Sequence, residues 1–362
     1  MCETSSGSTA AGVKTVQLSE AVGSVLAHDI TEIRPGEFKG TAFRKGHIIR
    51  EEDICHLQRL GKEHFFVLTI AADELHEDDA AYELTYSLMG TGVDISGPPR
   101  EGKINLVAGT DGLLKIDKEA LLQFNMLGDV ICATLHNNTV IKKGDIVASV
   151  KAVPLLIKRE VIRVAADIAN ASRKSDNGHT RTGVIEVKGM RRPSAGIVIT
   201  GNEIFNSRIK DAFAPVIHQK IESFGGQVTG VIYAPDDELF IESKIRELME
   251  NGADLIITTG GMSVDPDDVT RFAIRRLGAD DITYGSPVLP GAMFLVAYLG
   301  AIPILGIPAC GMYHKATVFD LVLPRVLAGE RPGRRELAEL GHGGLCRKCD
   351  VCAYPHCPFG KQ

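Results

Sequence analysis

The sequence predicts an α/β protein. Its second half reads as a three-layer domain with a mostly parallel sheet covered by helices on both faces, preceded by β-rich N-terminal modules. Two observations carry this. From Arg192 onward, continuous Ile/Val runs alternate with amphipathic helical segments, the pattern of parallel strands buried on both sides. Between Val16 and Ala148, short apolar runs are instead punctuated by Gly, Asn and Asp turn signals. A chain of 362 residues accommodates two or three domains at roughly 100–200 residues each. With 44% hydrophobic and 24% charged residues, wholesale disorder is excluded.

The elements follow in order. Residues 1–14 read as a disordered leader. Met1–Gly12 is rich in Ser, Thr, Ala and Gly and lacks the basic and apolar regions of a secretory signal, so a cytoplasmic protein is expected. Residues 15–72 form an N-terminal α+β module. In it Ser19–Gly23 starts a short helix running into Val25–Ala27, Glu51–Leu60 is a helix, and Phe65–Leu68 is a buried strand. Residues 73–180 form a β-rich middle module and linker. Acidic Asp73–Asp79 leads into a helix at Ala80–Met89, Gly102–Val107 is a strand, and Thr139–Ala148 reads strand, turn, strand. Asn170–Thr182 is polar, aperiodic and read as a loop. In the domain spanning 190–330, strands are predicted at Gly196–Thr200, Gln227–Tyr233, Asp254–Thr259, Phe294–Leu299 and Pro303–Ile307. Helices are predicted at Ala212–Phe224, Asp237–Glu250, Pro266–Leu277 and Met312–Leu327.

Composition also narrows function. Forty basic against 46 acidic residues give a net charge of -6, which provides no global basic field for nucleic acid. Aromatics at 6% and the absence of Trp leave no base-stacking platform. No apolar run approaches the roughly 18 residues of a membrane span. The longest stretch, Ala292–Leu305, is broken by Gly300 and Pro303.

Ligands of open parallel sheets sit beyond the carboxyl ends of the strands. Three polar or Gly-rich segments lie at such ends: Thr200-Gly201-Asn202-Glu203, Thr258-Thr259-Gly260-Gly261-Met262-Ser263 and Gly306-Ile307-Pro308-Ala309-Cys310-Gly311. Glycines let backbone N–H groups approach an anion, so a phosphorylated ligand is expected. Asp265, Asp267 and Asp268 follow the middle loop, and Glu203 stands at a neighbouring strand end. Carboxylates beside phosphates point to a shared Mg²⁺. Asp265 and Asp267 are equally accounted for as caps of the helix begun by Pro266, whereas Asp268 falls inside its first turn. Tyr313, His314 and Lys315 open the last helix, either touching ligand phosphate or forming a solvated face. Cys310 reads as a reactive thiol or as small filler.

Thr200-Gly201-Asn202-Glu203, Pro235-Asp236-Asp237, Asp254–Asp268, Pro290-Gly291 and Gly306-Ile307-Pro308 occur in this order. Over Ser194–Gly329 the sequence resembles the molybdopterin-binding domain shared by bacterial molybdopterin molybdotransferases and the gephyrin E domain. The resemblance implies a three-layer α/β/α molybdopterin-binding domain. It makes Glu203 and Asp268 the catalytic acidic positions of an Mg²⁺/molybdate site; Asp265, from the reading of the loop itself, is the further candidate Mg²⁺ ligand beside Asp268. Gly260, Gly261 and Ser263 match the pterin-phosphate cradle. Thr200, Gly201, Thr259, Pro290, Gly291, Gly306, Pro308 and Lys315 complete the expected cofactor-binding set. The stretch Val16–Ala27 is similar to the family's N-terminal opening.

Departures accompany the resemblance. The family's Lys-Pro-Gly-Lys-Pro stands here as Leu289-Pro290-Gly291-Ala292-Met293, without either lysine, and Gly-Leu-Pro-Gly-Asn-Pro as Gly306–Gly311. The acidic Asn-Ser-Ala-Met-Asp-Gly-Tyr loop has no counterpart. Lys315 or Arg271 are the local replacements for the missing cations. The expected function is molybdopterin binding in molybdenum cofactor biosynthesis, related to Mg²⁺-dependent insertion of molybdate into adenylated molybdopterin. A non-catalytic molybdopterin carrier or sensor is the alternative, and a nucleotide pyrophosphatase the third reading. By resemblance the protein forms a homodimer and serves a molybdoenzyme or its chaperone.

The last segment, 340–362, carries half of the eight cysteines. Cys346, Cys349, Cys352 and Cys357 are spaced C-x2-C-x2-C-x4-C-P. So tight a cluster in a chain without a secretory signal points to a metal rather than disulfides. The spacing suits a [4Fe–4S] cluster or a tetrahedral Zn²⁺. His342 and His356 are either substitute ligands or surface residues.

Overall fold

The computed structural model describes residues 13–34, 38–68, 70–173, 181–262 and 269–361. The chain divides into two units: Met1–Thr110, Leu114–Leu135 and Ile141–Val187 make the first, and Asp111–Leu113, His136–Val140 and Lys188–Gln362 the second.

In the first unit, Val13–Gln17 pairs antiparallel with His64–Leu68, and Ile30–Arg34 with Phe38–Phe43. Leu18, Leu26, Ile49 and Leu57 are buried among these strands and the helix Ile54–Arg59. The helix expected across Ser19–Ala27 is only a 3₁₀ turn, Leu18–Glu20. Gly23 breaks it at a φ of 84°, and Val25 then bridges Ile48 as an extended residue. A four-stranded antiparallel sheet follows, in the order Val93–Ile95, Lys103–Ala108, Ile146–Ala152, Val130–Thr134. Ile104, Leu106 and Ala108 alternate inward, as a half-buried strand requires. The helix Glu77–Leu88 starts three residues before the predicted Ala80, because the His76 ring accepts the Asp78 N–H at 3.1 Å and caps it. A second helix, Arg159–Ser172, includes Asn170–Ser172, which the sequence pattern assigns to a loop. Its buried face is Ile162, Ala165 and Ala169, and the helix is clearly amphipathic.

The second unit is built on a six-stranded mixed sheet. Its strands are β1 (Ser194–Thr200), β2 (Gln227–Ala234), β3 (Leu255–Thr259), β4 (Asp280–Tyr284), β5 (Leu295–Leu299) and β6 (Ile302–Ile307). The order is β2-β1-β3-β6-β5-β4. β1 pairs parallel with β2 and β3, and β3 parallel with β6, whereas β5 runs antiparallel to β6 and β4 to β5. The hairpin has a direct cause. Only Gly300 and Ala301 separate β5 from β6, and a parallel crossover needs a dozen residues or more.

The helices are α1 (Asn202–Phe205), α2 (Phe213–Ser223), α3 (Glu238–Glu250), α4 (Thr270–Arg276), α5 (Val318–Leu327) and α6 (Arg334–Glu339). Ile197 and Ile199 of β1 and Ile257 of β3 face α2 and α5, sharing a core with Ile217, Ile221, Phe319 and Val322. Val198 and Ile256 face the other way, onto Ile241 and Ile245 of α3 and Ile274 of α4. Both faces of β1 and β3 are therefore covered, which is why these two strands read as unbroken apolar runs. Burying each such side chain stabilises the fold by roughly 1.5–3 kcal/mol. No helix of the described residues is long and apolar enough to cross a membrane.

Candidate functional site

The parallel strands β3 and β6 end side by side. Because β5 runs against β6, with Leu295 opposite Gly306, the segment entering β5, Leu289–Met293, arrives at the same end of the sheet. Three stretches of chain thus converge: Gly260–Met262, Leu289–Met293 and Pro308–Cys310. Together with His314, Leu345 and Lys348 they enclose a cavity of about 660 Å³. That volume lies within the usual range for small-molecule pockets.

Close backbone packing shapes the cavity floor. Gly260 has a φ of 89°, and a Cβ there would lie 2.1 Å from the Thr200 carbonyl oxygen. Behind it, Thr200 and Thr270 exchange a hydroxyl–hydroxyl bond of 3.0 Å, and the Thr270 hydroxyl donates to the Gly260 carbonyl at 3.1 Å. The opposite wall is set by Gly291, at a φ of 126°, where a Cβ would meet Val318 Cγ1 at 2.5 Å. Gly306 lies beneath, leaving room for Met262, whose Cε would be 2.5 Å from a Cβ at that position.

Of the residues predicted for cofactor binding, Gly260, Gly261, Pro290, Gly291 and Pro308 line this cavity. Thr200, Gly201, Thr259 and Gly306 are not among its described lining. Thr200 and Thr259 are buried. Glu203 is exposed on α1, and the adjoining Asn202 N–H donates to Asp236 at 3.0 Å, tying that loop to the end of β2. Ser263, Asp265 and Asp268 lie outside the described residues. The described lining contains no carboxylate.

Two lining side chains are basic, His314 and Lys348. The residues Tyr313–Lys315 do not open a helix, because α5 begins only at Val318. Its first turn is closed by Thr317, whose hydroxyl accepts the Phe319 N–H at 3.2 Å, and by Asp320, which accepts the Thr317 N–H at 2.7 Å. Lys315 lines a second cavity instead. Burial raises the Cys310 thiol above its ordinary value, which disfavours the reactive thiolate.

The chain end folds back onto this unit. Leu289 N–H donates to Gly344 O and Cys346 N–H to Leu289 O, both at 2.8 Å, forming a one-residue parallel bridge to Leu345. Phe359 is buried in the sheet–helix core, and the Tyr354 hydroxyl donates to Asp320 O at 3.1 Å. Cys346, Cys349, Cys352 and Cys357 all line a second cavity of about 400 Å³. Lys348 N–H donates to Cys346 Sγ at 3.5 Å. Among the described residues, no three His, Cys, Asp or Glu side chains gather closely enough to hold a single metal ion.

Residues 196–328 match a protein family described as "Probable molybdopterin binding domain". This part of the chain is similar to that domain. Residues 15–69 match a "Domain of unknown function (DUF8806)". A CinA-like protein of Mycobacterium tuberculosis is 36% identical over 92 residues, which is 24% of this chain and 21% of the relative. The match thus spans about a fifth of that relative's length. Among solved structures, CinA of Thermoplasma acidophilum, titled as of unknown function, is 17% identical over 37% of this chain and 98% of its own, with a TM-score of 0.34. The molybdopterin biosynthesis enzyme MoaB of Thermus thermophilus is 23% identical over 38% of this chain and 98% of its own, with a TM-score of 0.33.

Sequence reasoning did not find Leu345 or Lys348, which reach the cavity only because the chain end returns to Leu289. Met262 and Met293 were also missed, since single methionines beside loops carry no signal separating lining from core.

Proposed function

We propose that the protein binds the phosphorylated pterin of molybdopterin in the 660 Å³ cavity, as part of molybdenum cofactor biosynthesis. The supporting observation is the convergence of three glycine-bearing strand-end segments around one cavity in the matched domain. Main chain at Gly260, Gly261 and Gly291 comes close to the ligand, apolar Met262 and Met293 cover the pterin, and His314 and Lys348 face its phosphate.

The chemistry at this site is retention of the pterin rather than rapid metal insertion. In the family pattern two lysines stand where this chain has Leu289 and Ala292. Losing one preorganised cationic donor in a dry site costs about 2.7–4 kcal/mol, or roughly a hundred- to a thousand-fold in rate. The sequence of acidic positions Glu203 and Asp265–Asp268 favours a second reading, Mg²⁺-dependent molybdate insertion with release of AMP. In both readings the protein acts as a homodimer that passes its pterin to a molybdoenzyme or its chaperone.

The deciding experiment incubates the full chain with adenylated molybdopterin, Mg²⁺ and molybdate, and measures retained pterin and released AMP. Retained pterin with slow AMP release is expected, and the double substitution Leu289→Lys and Ala292→Lys should raise that rate. Multiple turnovers of AMP by the unmodified protein, unaffected by the added lysines, establish the insertion reading instead.

A further inference from the structure

We infer that the four tail cysteines hold an iron–sulfur cluster, and that the cluster fixes Lys348 in the wall of the neighbouring ligand cavity. The inference rests on the proposed reading of that cavity and assigns it a metal-dependent residue. All four cysteines are free thiols facing one 400 Å³ space. Their spacing, C-x2-C-x2-C-x4-C-P, is close to the cysteine run that holds iron–sulfur clusters, with the last gap one residue longer. The Lys348 N–H to Cys346 Sγ contact is the kind of bond that stabilises a metal-bound thiolate. Lys315, Arg347 and Lys348 line the same space against one carboxylate, Asp350, and offset the negative charge that four thiolates bring.

The cluster space and the ligand cavity share three lining residues: His314, Leu345 and Lys348. Lys348 lies between two of the thiols in sequence, after Cys346 and before Cys349. When both are bound, the two residues between them lose their freedom. The exposed Lys348, at a φ of 52°, is then held where it borders the pterin cavity. Without the cluster the same lysine is a flexible side chain that must be ordered again for each ligand. Ligand affinity should therefore depend on the metal.

The test uses full-length protein purified without oxygen. Iron and acid-labile sulfide are measured first, with the visible absorption. Molybdopterin is then titrated into the unmodified protein, Lys348→Gln and Cys349→Ser. About four irons per chain are expected in the unmodified protein and in Lys348→Gln, with loss in Cys349→Ser. Both variants should bind molybdopterin roughly ten-fold more weakly, the effect of losing a hydrogen bond to a charged group. Zinc in place of iron, or neither metal, overturns the inference. So does a Lys348→Gln protein that keeps its iron and binds as tightly as the unmodified chain; this variant decides the matter even if Cys349→Ser fails to fold. An iron-loaded protein that binds no molybdopterin overturns the reading of the cavity itself, and the coupling with it.

Discussion

At Gly260 two demands meet in one residue: a φ of 89° and a site where a Cβ would lie 2.1 Å from Thr200 O. Gly260→Ala must move the β3 end away from β1, so the substitution should cost at least about 2 kcal/mol and abolish molybdopterin binding. Urea unfolding followed by ligand titration checks both. Glu77 is a second informative residue, in the first unit. Burial pushes its carboxyl from the ordinary 4.5 up to about 7, with Lys151 opposing. A carboxyl with a raised folded value binds more protons folded than unfolded between those limits, so its contribution to stability falls as pH rises from about 4.5 to about 7. Glu77→Gln should therefore stabilise the protein by about 1 kcal/mol at pH 8 and by less at pH 5. Thermal melts at the two pH values report the difference, and an equal gain at both would remove Glu77 as the cause.

At the scale of elements, α5 shows how a few polar groups position the site. Thr317 is buried, caps the helix and donates its own N–H to Asp320 at 2.7 Å, while Val318 N–H reaches Pro290 O at 3.4 Å in the cavity wall. Thr317→Ala should lower stability by about 1–2 kcal/mol and Thr317→Ser by much less, as measured by urea unfolding. Equal losses in both would place the effect in the threonine methyl rather than the cap. Elements buried on two faces were the legible ones: β1 and β3 show as Ile197–Ile199 and Ile256–Ile257 with no polar interruption. The hairpin β5–β6 was hidden, because its direction depends on the two-residue connection and not on apolar content. The edge strand β4 was missed altogether, since Asp280 and Asp281 expose it on one side. Arg159–Ser172 was missed although its buried positions Ile162, Ala165 and Ala169 keep helical spacing.

At the scale of the whole molecule, the site joins segments far apart in the chain. Its glycine loops were legible as cavity lining, because Gly260, Gly261, Gly291 and Pro308 stand in the segments next to the strand ends. The contribution of the chain end was not legible. No local pattern indicates that Leu345 bridges Leu289, that Phe359 enters the core, or that Lys348 reaches a cavity built from loops at 260, 290 and 308. The cysteine spacing drew attention to the tail, and only the fold shows that the cavity lined by those cysteines shares His314, Leu345 and Lys348 with the neighbouring one. The central claim is that this cavity receives molybdopterin. It is tested most directly by anaerobic titration of the full chain with molybdopterin, beside an Ala292→Trp variant that fills the cavity from an exposed wall position. The account predicts saturable binding, about one pterin per chain, weakened at least roughly ten-fold by Ala292→Trp with an unchanged circular dichroism spectrum. Absence of binding, or equal affinity in the filled variant, would contradict it.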